Sequence, residues 1–255
     1  LSKTDLSKTN LTEQDLSGAN LSGQDLRKID LTDTILRSAN LSFTNLSGQD
    51  LSGKDLQGVN FRNANLENVN LSNIITARPV QVWLAPDEEC VYNVPDYIKG
   101  LRSSASTHKC AETVFQNESI RTNFNDANLR GAIINHVQMH YVDFSGANLT
   151  GIEALDIALR DCKFIGTKLN HSEMKDATFF YSDFTNAELE NSQFTQTSFF
   201  QDVSFHNAKI INGYFEKPIF IDTDFSGADL KGSMINDAHM IGNIDLRCKN
   251  HQICD

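Results

Sequence analysis

Between Phe124 and Met240 a bulky apolar residue returns at every fifth position, and every fourth of these repeats its chemistry. One column reads Phe124, Phe144, Phe164 and Phe184, then, one residue late, Phe205 and Phe225. The next reads Leu129, Leu149, Leu169, Leu189, Ile210 and Leu230. An amphipathic helix repeats every ~3.6 residues and a strand every ~2, so neither generates fives. A five nested in a twenty describes a four-sided coil, each side a short extended piece plus a turn. Two residues ahead of each bulky position stands a small or β-branched one (Thr122, Ala127, Ala132, Val137), so wide and narrow inward positions alternate. Outward positions take Asp, Asn, Ser, Lys and Gly, several of which carry turn chemistry.

The same register runs from Leu1 to Leu71, with Phe61 in place of one Leu, and Asp or Asn usually precedes the bulky residue (Asp15, Asn20, Asp25, Asp30). Gln14, Gln24, Gln49 and Lys54 occupy narrow inward positions. A buried ammonium is costly unless it reaches water, so Lys54 is expected to turn out of the lumen. Residues 76–119 break the pattern and hold Pro79, Pro86, Pro95, Trp83, Cys90 and Cys110. A structureless loop of that length is uncommon, so this stretch reads as an insertion with its own apolar cluster and a short helix over Asp96–Leu101. The shared phase of Phe61 and Phe124 predicts that coils 1–75 and 120–245 stack into one solenoid. Phe115 or Ile120 is then expected to fill the fourth side of the interrupted coil. Six residues from Phe199 to Phe205 read as a one-residue bulge, and residues 246–255 as a terminal cap. Leu1 is already a repeat position, which reads as a trimmed or processed chain and leaves compartment open.

The strings Ser38-Ala39-Asn40-Leu41, Asn63-Ala64-Asn65-Leu66, Asp126-Ala127-Asn128-Leu129 and Gly227-Ala228-Asp229-Leu230 resemble the A-(D/N)-L-x-x signature of the pentapeptide-repeat family. The resemblance implies an all-β, right-handed quadrilateral β-helix, here of about ten coils with a non-repeat insertion. Its members serve unrelated roles, so function must be argued from surfaces.

Net charge is -11, and residues 120–255 carry eleven Lys/Arg against eighteen Asp/Glu. That balance disfavours a phosphate-binding surface and direct contact with nucleic acid. No apolar run approaches the ~20 residues of a membrane span. No P-loop, dinucleotide fingerprint or nucleophile elbow occurs, and His136, His140, His171, His206 and His239 scatter over outward positions. The expectation is a non-enzyme without metal or cofactor. Cys248, His251 and Cys254 are zinc-ligand types that lack a fourth partner. Cys90 with Cys110 and Cys248 with Cys254 read instead as two structural disulfides, which points to an extracytoplasmic setting such as periplasm, secretion or an organelle lumen. A cytoplasmic protein with reduced thiols is the alternative. Cys162, at a narrow inward position, reads as a buried free thiol.

Two surfaces stand out. After each bulky residue of the fourth side, the outward position reads His140, Arg160, Phe180, Phe200, Ile221 and Ile241, with Tyr181 alongside. Contiguous apolar surface of this kind marks an interface, covered either by the insertion, through Val80, Val82, Trp83 and Tyr92, or by a protein partner or second copy. On the third side Glu153, Asp156, Glu173, Asp176, Glu216 and Asp237 form an acidic stripe. The family includes quinolone-resistance proteins that mimic DNA toward DNA gyrase, so the resemblance offers gyrase binding as a second reading, and a secreted effector as another. The first reading is a non-catalytic interaction scaffold.

Overall fold

The computed structural model describes Leu6, residues 9–77 and 121–254, together with the backbone of 79–82 and 112–115. These belong to two units, Leu1–Ala77 with Ser119–Asp255, and Arg78–Glu118. In the latter, β1 (Pro79–Val82) and β2 (Glu112–Phe115) pair antiparallel, with Pro79 opposite Phe115. The expected helix over Asp96–Leu101, the apolar cluster around Trp83 and the Cys90–Cys110 bridge lie outside the described residues.

The other unit is built from one turn repeated. Gln24 N–H donates to Leu21 C=O (3.2 Å) around Ser22 and Gly23, and Gly23 has φ +74°. Positive φ recurs two residues after the bulky position, at Asn63, Asn68, Asp126 and Gly131 among others. Gly, Asn and Asp enter that region at least cost. The residue before the bulky one caps the same turn: Asp15 Oδ1 accepts from Ser17 N–H (2.9 Å) and Asn60 Oδ1 from Arg62 N–H (3.0 Å). The Asp/Asn of the repeat is therefore a turn-forming residue. At Gly146 the demand is double, since a Cβ there would meet Asp126 Oδ1 of the preceding coil at 2.4 Å.

Coils join by a fixed ladder in which Leu21 N–H donates to Asn40 C=O (2.9 Å) and Asn40 N–H to Ala19 C=O (2.9 Å). The ladder continues across the insertion. Phe61 N–H donates to Asn123 C=O (2.7 Å), and Asn60, Asn65, Asn70 and Ile75 bridge Asn123, Asn128, Ile133 and Gln138 in parallel. Asn side chains reinforce it: Asn65 Nδ2 donates to Asn45 Oδ1, and Asn128 Nδ2 to Asn65 Oδ1, both at 3.2 Å.

Inside, the Phe column of the first side stacks from Phe61 through Phe225, with ring centroids from 4.5 Å (Phe164–Phe184) to 5.2 Å (Phe205–Phe225). An interstrand spacing of ~4.8 Å is compatible with offset ring stacking. Rings of neighbouring columns meet edge-on, as Phe179 meets Phe184 at 5.2 Å and 76°.

Before the insertion the sides from Leu6 to Leu66 close with the bonded turn. Beyond it the first two sides keep the turn, whereas the third and fourth extend into strands β3 (Gln138–His140), β4 (Glu153–Arg160), β5 (Glu173–Phe180), β6 (Gln193–Thr195), β7 (Phe199–Gln201), β8 (Tyr214–Glu216), β9 (Ile219–Ile221), β10 (Met234–Asn236) and β11 (His239–Ile241). All pair parallel. Ser-Gly and Asn at the turns of the early coils give way here to Leu155, Thr178, Phe180 and Ile219, which favour extended backbone.

Four local expectations need correction. Thr76, 1% exposed, fills the fourth side of the interrupted coil, because Ile75 bridges both Asp55 and Gln138. Phe115 belongs to β2, and Ile120 lies outside the described residues. The bulge falls between Phe194 and Phe200, since Phe200 pairs with Phe179 and Phe220 and stacks on both rings. Spacing alone does not choose between the adjacent Phe199 and Phe200; the continuing ring stack does. Phe200 is accordingly fully buried in the lumen rather than outward. Lys54 stays in the coil wall, where its Nζ donates to Leu31 C=O (2.6 Å) and Thr34 C=O (3.4 Å). Burial pulls its pKa down, while Asp33, Asp50 and Asp30 oppose that shift. Gln49 makes the same reach, to the carbonyls of Leu26, Arg27 and Ile29.

Candidate interaction surfaces

With Phe200 withdrawn into the lumen, the fourth-side face after the insertion is rebuilt from two outward columns flanking the central one. Phe180, Ile221 and Ile241 follow the central residue and are half-buried; Phe199 and Ile219 precede it and are 8% and 1% exposed. Phe199 and Ile219 are buried yet lie outside the lumen core. Phe180 and Phe199 touch, ring centroids 5.4 Å apart, so the two columns form one apolar face. The register supplies Gln201 where Phe200 was expected, interrupting the following column with one polar residue.

Beside this face Tyr181 stands 43% exposed at φ +50°, a conformation a bulky side chain rarely adopts. The quadrilateral coil imposes it, because each pentad needs a left-handed residue two after its bulky position. Arg160 lies over the Tyr181 ring (5.1 Å) and 3.5 Å from Asp161, and Arg121 lies over Tyr141 (5.3 Å). Burial, and then the Arg160 charge, push His140 down to about 4, so this histidine is neutral near pH 7. These cation–ring pairs went unnoticed in the sequence, although Arg160 and Tyr181 are twenty-one residues apart, the diagonal neighbour spacing of the coil.

The acidic stripe divides. Glu153 pairs with Glu173 directly across β4 and β5, and Asp156 and Asp176 sit at the matching turns, all four exposed. Beyond them come Gln193, Gln196 and Lys217, so Glu216 and Asp237 are separated from the four. Glu216 also serves the coil, accepting from Gln196 N–H (3.1 Å). His136 Nδ1 approaches Asp156 at 3.2 Å. The stripe is a four-carboxylate group with two outliers rather than a continuous surface.

Cys248 and Cys254 are disulfide-bonded, with Cα atoms 5.0 Å apart, so both thiols of the Cys248–His251–Cys254 set are committed to that bridge. Burial pushes the Cys162 thiol up to about 12, and its Sγ–H faces the carbonyls of Met139 and Arg160. It is buried and free. Among the described residues no group of three or more His, Cys, Asp or Glu is placed to hold a metal, and no helix is long and apolar enough to cross a membrane.

Comparison with solved structures returns several low-scoring matches. HetL, a pentapeptide repeat protein involved in heterocyst differentiation regulation from the cyanobacterium Nostoc sp. strain PCC 7120, is 20% identical over 91% of this chain and 89% of its own, with a TM-score of 0.39. Full-length QnrB1, a plasmid-mediated fluoroquinolone resistance protein, is 13% identical over 91% of this chain and 92% of its own, at 0.31. A pentapeptide repeat protein of the Arabidopsis thaliana thylakoid lumen is 15% identical over 89% and 72%, at 0.15. No curated protein matches. The assignment rests instead on the family model for pentapeptide repeats, which matches in eight copies over residues 1–33, 15–53, 39–75, 120–151, 159–196 and 200–240. With most of its length matched by that model, and with the model's five-residue unit visible as a turn, a cap and a stacked core residue, the chain belongs to the pentapeptide-repeat family.

Proposed function

We propose that this protein is a non-catalytic interaction scaffold that presents the exposed part of the fourth-side face, Phe180, Tyr181, Ile221 and Ile241, to a protein partner in an oxidising, extracytoplasmic compartment. The observation that carries the reading is that one side of the coil is apolar outside as well as inside, whereas the outward positions of the other sides are mainly Asn, Asp, Ser, Lys and Glu. Phe180, Ile221 and Ile241 remain half-exposed beside the exposed Tyr181, and contiguous apolar surface of this kind marks interfaces. The compartment is supported by the Cys248–Cys254 bridge, since such bonds persist under oxidising conditions.

The test replaces Phe180→Asp together with Ile221→Asp, both outside the lumen core. With a photo-crosslinker at position 181 in the producing cells, wild type is expected to yield a discrete adduct that the double variant loses while keeping its melting temperature. Adducts that survive both substitutions, or a variant that melts well below wild type, would count against a docking face. Light scattering of the purified chain reports whether the partner is a second copy.

DNA mimicry toward DNA gyrase is a second reading, favoured by the exposed Glu153, Asp156, Glu173 and Asp176 group. It requires loss of gyrase supercoiling with wild type and restored supercoiling when those four carboxylates become amides.

A further inference from the structure

The backbone ladder is interrupted between the coil over 21–40 and the coil over 41–60. Regularly, the N–H of a bulky residue meets the carbonyl just ahead of its counterpart in the next coil, as Leu26 meets Asn45 and Leu46 meets Asn65, both at 2.8 Å. The left-handed residue of the turn does the same, as Ser38 meets Gln57 (2.9 Å) and Gly48 meets Glu67 (2.8 Å). Between Leu26 and Ser38 the pattern fails. Among the described residues, the N–H groups of Lys28, Leu31 and Asp33 meet no carbonyl of the next coil, Asp50 N–H does not reach Ile29 C=O, and Asp30 and Asp50 form no bridge. Asp50 still bridges Asn70 in the coil after it, so the later coil is itself regular here.

The cause is side-chain length at the narrow inward positions. Ala39 and Ala64 fill such positions without leaving the lumen, whereas Gln49 and Lys54 are too long and pass between the coils. Gln49 Nε2 donates to the carbonyls of Leu26 (2.8 Å), Arg27 (3.0 Å) and Ile29 (3.1 Å), and Lys54 Nζ to those of Leu31 (2.6 Å) and Thr34 (3.4 Å). Ile29 C=O, which Asp50 N–H would otherwise meet, is thus taken by a side chain. A short donor at the equivalent position makes the same reach without spreading the coils: Thr122 Oγ1 donates to Leu56 C=O (2.9 Å) while Asn123 N–H keeps its bond to Val59 C=O (3.0 Å).

Unpaired main-chain groups are costly away from water, and the gap admits it. A cavity of about 380 Å³ opens there, lined by Thr32, Asp33, Ile35, Asp50, Ser52 and Lys54 among others. We propose that this seam is a flexure in the solenoid: the two coils part and close along the third side, swinging on the first and second sides, where Leu21 N–H holds Asn40 C=O (2.9 Å) and Leu26 holds Asn45. Gln49 and Lys54 are its latch. Their side-chain bonds can release without rearranging either backbone, whereas a ladder bond gives way only with the strand that carries it. Elements that move are drawn from the least stable parts of a fold, and here the sequence places two long polar side chains where neighbouring coils have Ala or Val. The flexure is a property of the coil stack and does not depend on a partner at the fourth-side face.

Amide exchange by NMR on the intact, disulfide-bonded protein tests it, each rate corrected for its unstructured value. The two bonds that edge the gap, those of Leu26 and Ser38, are expected to exchange at least tenfold faster than Leu46 and Leu51 at the next junction. They should also exchange faster than Leu16 and Gly18 at the preceding one, which donate to Ile35 and Arg37. Replacing Gln49→Ala together with Lys54→Ala should close the ladder, giving Leu31 and Asp33 protection and slowing Leu26 and Ser38 to the level of Leu46. Lys54→Thr, which copies Thr122, is the milder form and should protect Asp33 alone. Edge amides as slow as Leu46 and Leu51 would make the seam static and overturn the inference. So would Leu16 and Gly18 exchanging as fast as the edge, which means unravelling of the first coils rather than parting at the seam. Faster edge exchange in a folded double variant would also overturn it, since Gln49 and Lys54 would then hold together coils that cannot pair without them. If the double variant does not fold, the wild-type amides and Lys54→Thr decide.

Discussion

At the residue scale, side chains that break the repeat show what each position demands. Ala154 stands at a wide inward position between Ile134 and Met174 and leaves a small void lined also by Ile157, Phe164 and Phe179. Filling a void of this kind commonly stabilises by about 1 kcal/mol, so Ala154→Met is expected to raise Tm by about 2–4 °C. A fall would mean that the coil does not accommodate the longer side chain. Thr76 is the complementary case, a hydroxyl at a wide position whose Oγ1 finds no hydrogen-bond partner among the described residues. A buried unpaired hydroxyl costs about 1–3 kcal/mol, so the near-isosteric Thr76→Val should stabilise by about 1 kcal/mol in urea denaturation. Asp245 illustrates the turn cap in its charged form: the hydrogen bond from Arg247 holds its carboxyl at about 2, well below 3.8. A depressed folded pKa means that the contribution to stability is present above the unfolded value and fades as pH falls from about 3.8 toward about 2. Carboxyl NMR titration should place the Asp245 midpoint near 2, and Arg247→Gln should move it upward.

At the scale of the element, register is specified twice. Inside, stacked Phe rings favour a coil placed directly over its neighbour. Outside, the second side carries a ladder of alternating charge, Lys168, Glu188, Lys209, Asp229 and Lys249, each bridged to the next. Lys209 Nζ lies 3.2 Å from Glu188 Oε1. Pairs directly opposite in adjacent strands contribute, and like charges there oppose pairing. Glu188→Lys would place three ammonium groups in succession, and should destabilise by roughly 0.5–1 kcal/mol at low salt, since the groups are largely exposed. The loss should shrink in 1 M salt, where the screening length is about 3 Å. A loss insensitive to salt would point to packing instead.

For the molecule as a whole, a coil that repeats one turn has no concave site formed by converging loops, so its surfaces differ by composition and by where stacking stops. The apolar fourth face is such a difference. The disulfide belongs to this scale as well. Alkylation of native protein should leave Cys248 and Cys254 unmodified without reductant and label both after reduction. His251 Nε2 lies 3.2 Å from Ser233 C=O within the loop that the bridge closes, so reduction should also speed amide exchange at Ile235 on β10, while Phe144 and Phe184 in the middle coils keep their protection.

The sequence by itself determined the coil. A-(D/N)-L-x-x fixes an inward side chain, the Asp or Asn that caps the following turn and the left-handed residue two places after the Leu, and these are local interactions of the motif. The four-sided period, the Phe column and the stacking phase across the insertion were legible for the same reason. Tertiary structure decided whatever depended on choosing between near-equivalent neighbours. Phe199 and Phe200 differ by one position, and only the ring stack with Phe179 and Phe220 sends Phe200 inward. Thr76 carries no bulky signature, yet the bridges of Ile75 place it at the wide position. Lys54 was expected to turn out of the lumen because an ammonium avoids apolar surroundings, and the carbonyls of the preceding coil hold it in the wall as partners that only stacking brings within 2.6 Å. The acidic stripe divided, and His251 came to lie against Ser233 C=O, because both depend on which residues face one another between coils. That pairing is non-local, and a five-residue motif does not encode it.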